Sequence, residues 1–325
     1  MRRIRINKDA TVEVQETKNP QISQGFVRVA HQYSLISAGT ELLRLSGAMG
    51  AVAKEKMGYS GVGRIIDGTV PDGFNIGDIV FTRGPHQDIV DIPVKEAYYN
   101  FVKVASDHAK SATFLELGKV ALHGLHRANI QLGDSIVVFG LGIVGNLVAQ
   151  LASLATGGKV YALDPVAERR ILAEGMGLHV SDPFSSADID MMMLRLGAGA
   201  EVVMEASGSQ EALTSSFKIA APRGQIVLIA GHYGKRELDL KTDFQNKELS
   251  LIATRYLEKT NRSMSDRWTV AECRHEFYQL LAKGIVKVEA LISHTVSPSR
   301  ASEMYSRLLE REAGVTGVVF DWNME

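Results

Sequence analysis

Over residues 1–117, apolar and polar positions alternate in short runs broken by Gly, Pro and Asp: "TVEVQE", "FVRVAHQYSLIS", "GVGRIIDG", "GDIVFTRG" and "DIVDIPV". Period-two runs rich in Val and Ile, separated by turn residues, predict strands, and several at this spacing predict a small all-β barrel. Ile4 and Ile6 in "MRRIRINK" extend the pattern to a first strand. From Ser111 the texture changes, and "ATFLELGKVALHGLHRAN" places apolar residues at helical spacing. "SIVVFG" then reads as a buried strand, "IVGNLVAQLASLA" as a helix, "KVYALD" as a strand and "PVAERRILAEGMG" as a helix, with Pro165 suited to its first turn. "AEVVMEAS", "GQIVLIAG" and "ELSLIAT" continue the series. Such alternation predicts an α/β unit with a parallel, doubly wound sheet over residues 118–256. Residues 257–325 hold a helix reaching Gly284, the segment "ALISHTVSP", a helix in "SRASEMYSRLLERE" and a closing strand "GVVFDW". This tail is too short for a domain and is expected to return to the β-rich part.

Composition narrows the partners. Lys and Arg total 36 against 37 for Asp and Glu, so no charge excess points to nucleic acid or acidic lipid. No run reaches the roughly 18 apolar residues of a membrane helix. The basic opening has no apolar core behind it. A cytoplasmic protein acting on a small molecule, with no membrane or nucleic-acid partner, is therefore expected. The single cysteine, Cys273, allows neither an intrachain disulfide nor a four-cysteine zinc lobe. It lies in the helix-like "WTVAECRHEFYQLLAKG", where a buried thiol is expected.

The chemistry begins at "SIVVFGLGIVGNLVAQLA". Gly140, Gly142 and Gly145 form a G-x-G-x-x-G pattern after an apolar strand and at the opening of an apolar helix. In that context Gly140 permits a tight turn, Gly142 a close approach to a pyrophosphate, and Gly145 close helix–strand packing. The helix N-terminus, with Ile143 and Val144, offers N–H groups and partial positive charge to the phosphates. Asp164 ends the next strand, 164 − 145 = 19 residues past the last glycine. An acid about 20 residues on accepts hydrogen bonds from the adenosine ribose and repels a 2′-phosphate, so NAD(H) is expected rather than NADP(H). Arg169 and Arg170, on the following helix, weaken that preference slightly. Ser207, Gly208, Ala230, Gly231 and His232 end two later strands, where the nicotinamide side of a coenzyme would lie.

The order of these pieces resembles the medium-chain dehydrogenase/reductase superfamily over essentially the whole chain. "LELGKVALHGLHRANIQLGD" looks like its zinc-dependent polyol branch, and "YSLISAGTELLRLSG" is similar to a subgroup with bacteriochlorophyllide dehydrogenase-like and threonine-dehydrogenase-related members. The resemblance implies an α/β fold: a GroES-like β-barrel catalytic domain from residues 1–117, a Rossmann NAD-binding domain over 118–256, and a tail, 257–325, that returns to the catalytic domain. It also implies homodimers or homotetramers formed through the Rossmann edge strand, residues 249–254. Pairing there would protect an open apolar edge.

Zinc-dependent members carry a C-G-x-D/E motif. The matching residues here are Ala38, Gly39, Thr40 and Glu41, with alanine at the ligand position. Their G-H-E motif matches "MGYSGVG", with Tyr59 and Ser60 in place of histidine and glutamate, and a third ligand position matches Glu116. Catalytic zinc takes three protein ligands, so no metal is expected. His31, His86 and Glu41 are the residues from which a substitute site would have to be built. Without zinc, protein groups must move the proton. Tyr59 is the first candidate, able to donate to a developing alkoxide or enolate but needing a lowered pKa to act as a base. Glu116, expected to have a raised pKa with no metal beside it, is the second, and His86, on a loop expected to face the cleft, is the third. Ser37 and Thr40 are expected to relay protons. Each has a structural alternative: Tyr59 as filler of a metal's void, Glu116 as the partner of a cation such as Lys119, His86 as an exposed loop residue. His123 and His126 read as packing or surface residues.

The leading expectation is an NAD(H)-dependent, zinc-free oxidoreductase that interconverts a secondary alcohol (a sugar, cyclitol or similar polar substrate) and a carbonyl. Two alternatives stay open: an NAD(P)H-dependent enoyl- or quinone-type C=C reductase, and a protein that binds NAD(H) without turnover. The basic segment "RYLEKTNRSMSDRW" would suit a hydroxylated or anionic substrate.

Overall fold

A computed structural model describes residues 1–7, 9–47, 57–235, 237–254 and 268–324 of the chain. Strands β1 (Arg2–Ile6) and β2 (Val12–Glu16) pair antiparallel. Their buried Ile4, Ile6 and Val12 join Tyr305, Phe320 and Trp322 of the tail in one apolar cluster. Next come β3 (Phe26–Leu35), α1 (Ala38–Leu45), β4 (Gly61–Gly68), β5 (Ile79–Thr82), β6 (Ile89–Pro93), α2 (Val94–Asn100) and β7 (Val102–Lys103). The alternation seen in "FVRVA" buries Val27 and Val29 completely, against Ile65, Val80 and Val90 of the neighbouring strands. β3 is the hub, antiparallel to both β4 and β6.

Helix α3 (Leu115–Ala128) leads into an alternating series: β8 (Ile136–Phe139), α4 (Ile143–Thr156), β9 (Val160–Leu163), α5 (Ala167–Gly175), β10 (His179–Ser181), α6 (Ser186–Leu196), β11 (Ala200–Glu205), α7 (Gln210–Ile219), β12 (Ala220–Leu228) and β13 (Ser250–Ala253). All the pairings among these strands are parallel, in the order β10-β9-β8-β11-β12-β13. That is the doubly wound order in which the connections reverse between β8 and β11, and a crevice opens there at the carboxyl ends. Every residue of β8 is buried, as expected of a central parallel strand covered on both faces. The chain then runs through α8 (Val270–Ala282), β14 (Ile292–Val296), α9 (Ala301–Leu309) and β15 (Gly317–Asp321). β15 pairs parallel with β14 and antiparallel with β3, so the last strands complete the sheet of the first.

The compact units are Met1–Glu116 with Arg274–Glu325, and Leu117–Cys273. The first residues of the tail as read from the sequence, and all of "RYLEKTNRSMSDRW" but Trp268, lie outside the described residues. Cys273 is buried. Among the described residues no helix is long and apolar enough to cross a membrane.

Candidate functional site

The glycine loop of the second unit is built as the motif requires. Gly140 has φ +90°, and a Cβ there would lie 2.9 Å from the Ser207 backbone. A Cβ on Gly145 would lie 1.8 Å from the Gly140 carbonyl oxygen. Gly142 is the N-cap of α4, no side chain caps it, and a Cβ there would meet nothing within 4 Å. Gly142 is thus open to a diphosphate, Gly140 makes the tight turn against Ser207, and Gly145 locks helix to loop. These residues fit a dinucleotide. Gly145→Ala forces the loop to move and is expected to cost at least about 1–3 kcal/mol, as overpacking does, and to weaken dinucleotide binding. A thermal melt together with an NADH titration checks both.

Asp164 is buried rather than solvated at its strand end. Its Oδ2 accepts the Leu141 N–H (2.7 Å), inside the glycine loop, and its Oδ1 accepts the Val166 N–H (2.8 Å). Arg169 Nη1 lies 3.4 Å from Oδ2 with a third of its side chain exposed, and Arg170 donates to the Asp164 carbonyl. The acid and both arginines therefore form one cluster beside the loop.

At the ends of β11 and β12 the structure supplies a residue that the sequence reading passed over. Glu205 is fully buried, its Oε1 accepting the N–H groups of Ser207 (2.8 Å) and Gly208 (3.0 Å) as well as the Ser207 hydroxyl. His232 Nε2 lies 2.6 Å from Oε2. The His232 side chain is only 8% exposed. A Cβ on Gly208 would lie 3.2 Å from the Gly231 carbonyl and 3.5 Å from Ala230, so the two loop ends touch. An acid closing the apolar run "AEVVME" was a legible signal, of the same kind that singled out Asp164.

In the first unit, the three-residue spacing within the first turn of α1 sets Ser37 and Thr40 around one phenol. Tyr59 donates to the Ser37 hydroxyl and lies 3.1 Å from Thr40 Oγ1. Burial pushes its pKa up to about 12; its hydrogen bonds to Ser37 and Thr40 pull the other way, while the charges of Glu41 and Glu116 add to the rise. The shift is upward, so the lowered pKa that a base would need is absent. Tyr59 is a neutral phenol, a donor.

His86 is not on a loop facing solvent. It is fully buried, with Nε2 3.2 Å from Glu41 Oε2 and Nδ1 2.8 Å from Ser34 Oγ, which also accepts Trp322 Nε1–H. Glu41, at 0% exposure, further accepts the Ser37 N–H and the Tyr305 hydroxyl. Burial is the largest single influence on Glu41 and raises its pKa, but His86, Tyr305 and Ser37 together outweigh it and leave the carboxyl below its usual range. The pair thus anchors α1, and Ser37 with it, rather than offering a proton to substrate.

Glu116 is likewise corrected. The sequence expectation was a carboxylate left without a cation, but two guanidiniums meet it. Arg274 donates to Oε2 from Nε (2.8 Å) and Nη2 (2.6 Å), and Arg83 Nε lies 3.4 Å from Oε1. Arg274 is 1% exposed and also donates to the Tyr99 carbonyl and to Asn100 Oδ1. Its position on α8, beside the buried Cys273 and Phe277, gave no sequence signal, because arginines on amphipathic helices are ordinarily solvated.

These residues do not fit a zinc ion. Ala38 has no donor atom, Tyr59 is a neutral phenol already hydrogen-bonded, and Glu116 is held by two cations. His31, its pKa lowered by burial to about 4, is committed to the Gln87 carbonyl (2.9 Å) and the Thr82 hydroxyl (2.7 Å). Among the described residues no three His, Cys, Asp or Glu side chains converge as a cation site.

Comparison with known proteins finds dehydrogenases. A family model described as zinc-binding dehydrogenase matches residues 144–272. The chain is 27% identical over 264 residues to D-guloside 3-dehydrogenase of Escherichia coli, covering 79% of this chain and 75% of that one. It is 25% identical to 2-desacetyl-2-hydroxyethyl bacteriochlorophyllide A dehydrogenase of Cereibacter sphaeroides, covering 97% and 95%. Its fold matches that of galactitol-1-phosphate dehydrogenase from Escherichia coli with a TM-score of 0.83 at 22% identity, covering 99% and 100%. With a GroES-like unit, a Rossmann unit and dehydrogenases as relatives, the chain is similar to the zinc-type polyol dehydrogenases of the medium-chain dehydrogenase/reductase superfamily.

Proposed function

We propose that the protein is an NAD(H)-dependent oxidoreductase that interconverts a secondary alcohol and its carbonyl without zinc, with Tyr59 as the proton donor. The observation that carries this is the Tyr59 phenol, hydrogen-bonded to Ser37 and Thr40 at the position where zinc-dependent relatives place a histidine ligand. Bound NADH supplies the hydride. The glycine loop and the start of α4 bind the diphosphate, and Asp164 favours a ribose without a 2′-phosphate. Tyr59 gives its proton to the oxygen that gains charge as the carbonyl is reduced, and Thr40 and Ser37 hold the phenol in line. The catalytic part on this reading is residues 1–117 with the tail, and the coenzyme part residues 118–256. A polyhydroxylated substrate is supported by the names of the guloside and galactitol phosphate enzymes. The open edge strand β13, with Leu251 exposed, suits pairing with a second copy. A cytoplasmic location is part of the same reading.

Metal content per chain of untagged protein, purified without chelator, is the direct test. Near-zero zinc in an active preparation supports the mechanism, and one zinc per chain overturns it. The phenol also sets a pH dependence. Reduction uses the protonated form, so its rate is expected to be level across neutral pH. Alcohol oxidation needs the phenolate, and with a pKa near 12 its rate should rise about tenfold per pH unit through the mildly alkaline range. A plateau in oxidation near neutral pH would point to another base.

One observation favours the C=C reductase alternative. Arg169, one-third exposed beside Asp164, is placed to meet a 2′-phosphate. Comparing kcat/KM for NADH and NADPH decides this: NADH preference supports the alcohol–carbonyl reading, and a clear NADPH preference moves it to the reductase.

A further inference from the structure

The second unit holds a buried histidine with one nitrogen unused. His232 Nε2 is tied to Glu205, yet Nδ1 is enclosed and has no hydrogen-bond partner among the described residues. Leaving a buried polar atom unpaired costs free energy comparable to a lost hydrogen bond, so such an atom calls for a partner from outside the chain. The proton inventory says what kind. Glu205 accepts from Ser207 and Gly208 and is the acceptor for Nε2 as well, so Nε2 carries the proton, and the matching neutral tautomer presents Nδ1 as a lone pair. It seeks a donor.

Position says where that donor lies. Glu205 closes β11, the strand next to the β8 reversal point, and His232 follows β12, the next strand over. The loop between Glu205 and Gly208 packs on Gly140 of the diphosphate loop and on Gly231. The pair therefore sits at the carboxyl ends of the central strands, on the opposite side of the glycine loop's strand from Asp164 and β9. With Asp164 marking the adenosine half, this is the nicotinamide half. We propose that His232, oriented by Glu205, is a coenzyme-contact residue whose Nδ1 accepts a hydrogen bond from the nicotinamide nucleoside, either its ribose hydroxyls or its carboxamide N–H. The assignment rests on the dinucleotide reading of the glycine loop.

Two substitutions test it by different routes. His232→Phe removes the acceptor and keeps a ring. Glu205→Gln keeps the loop hydrogen bonds through its amide oxygen but turns an N–H toward Nε2, which moves the ring proton to Nδ1 and converts it from acceptor to donor. Titrations of NADH, its 3-acetylpyridine analogue, ADP-ribose and AMP against the full chain and both variants give the readout. The expected result is a roughly tenfold weaker NADH affinity in each variant, the size of one lost hydrogen bond, with AMP unchanged. AMP lacks the nicotinamide nucleoside, so its retention also shows that the unit is folded. If ADP-ribose weakens in parallel, the donor is a ribose hydroxyl. If ADP-ribose and the acetylpyridine analogue are indifferent and only NADH weakens, it is the carboxamide. NADH affinity that falls no further than AMP affinity in both variants overturns the assignment. An unmutated chain that binds neither NADH nor AMP overturns the dinucleotide reading itself, and this assignment with it.

Discussion

Replacing Tyr59 with phenylalanine is expected to slow carbonyl reduction by about 10²- to 10⁴-fold, the range a positioned general acid contributes, while NADH binding stays the same. Phenylalanine preserves the ring and its packing, and what is lost is the hydroxyl held by Ser37 and Thr40. Because its pKa stands near 12, the phenol keeps its proton until the substrate oxygen becomes basic, so its effect belongs to the transition state. The loss should therefore appear in kcat, with KM for the carbonyl little changed. Single-turnover reduction followed by NADH absorbance is the measurement. Unchanged turnover in the variant would assign Tyr59 to packing and send the proton question to another group.

Arg274→Ala is expected to destabilise the protein by about 3–5 kcal/mol, because removing one partner of a buried ion pair leaves the other charge unmatched. The two partners are 1% and 3% exposed, so solvent does little to relieve Glu116. Arg83 remains, but at 3.4 Å and with a third of its side chain in water it is a weaker substitute. The substitution also removes the guanidinium from the Phe81 ring, 5.7 Å away, and its bonds to Tyr99 and Asn100. A drop in Tm on the order of 10 °C follows. The double variant Glu116→Leu with Arg274→Met removes both charges at similar volume and is expected to recover most of the loss, since apolar replacement of a buried pair is often neutral. Equal destabilisation by the single and double variants would show that packing of the arginine, rather than charge, is what holds that part of the unit.

The counter-charge to Glu116 is brought by the chain itself, from α8, 158 residues along the sequence.

Local pattern was enough for the architecture. Parallel strands buried on both faces must be continuously apolar, so "SIVVFG", "KVYALD" and "AEVVME" were legible without any neighbour. The glycine loop was legible for the same reason: at Gly140 a positive φ, and at Gly145 the lack of space for a Cβ, constrain the residue type itself. Ala38 was legible in the same way, because alanine has no donor atom in any fold. What the chain's own order did not carry were the pairings made across long separations. Glu116 meets Arg274, Glu41 meets His86 and Tyr305, and Glu205 meets His232. A charged side chain has the same identity whether solvated or buried, and its pKa, partner and role follow from desolvation and from which opposite charge the fold delivers. Hence His86 read as a proton carrier on a cleft-facing loop and is buried against Glu41 and Ser34, while Tyr59, read as a donor that would need a lowered pKa to act as a base, has its pKa raised by burial. Sequence determined the fold and the glycine loop; tertiary structure alone decided the partners of these buried ionisable groups, because those depend on burial and distance rather than on residue type.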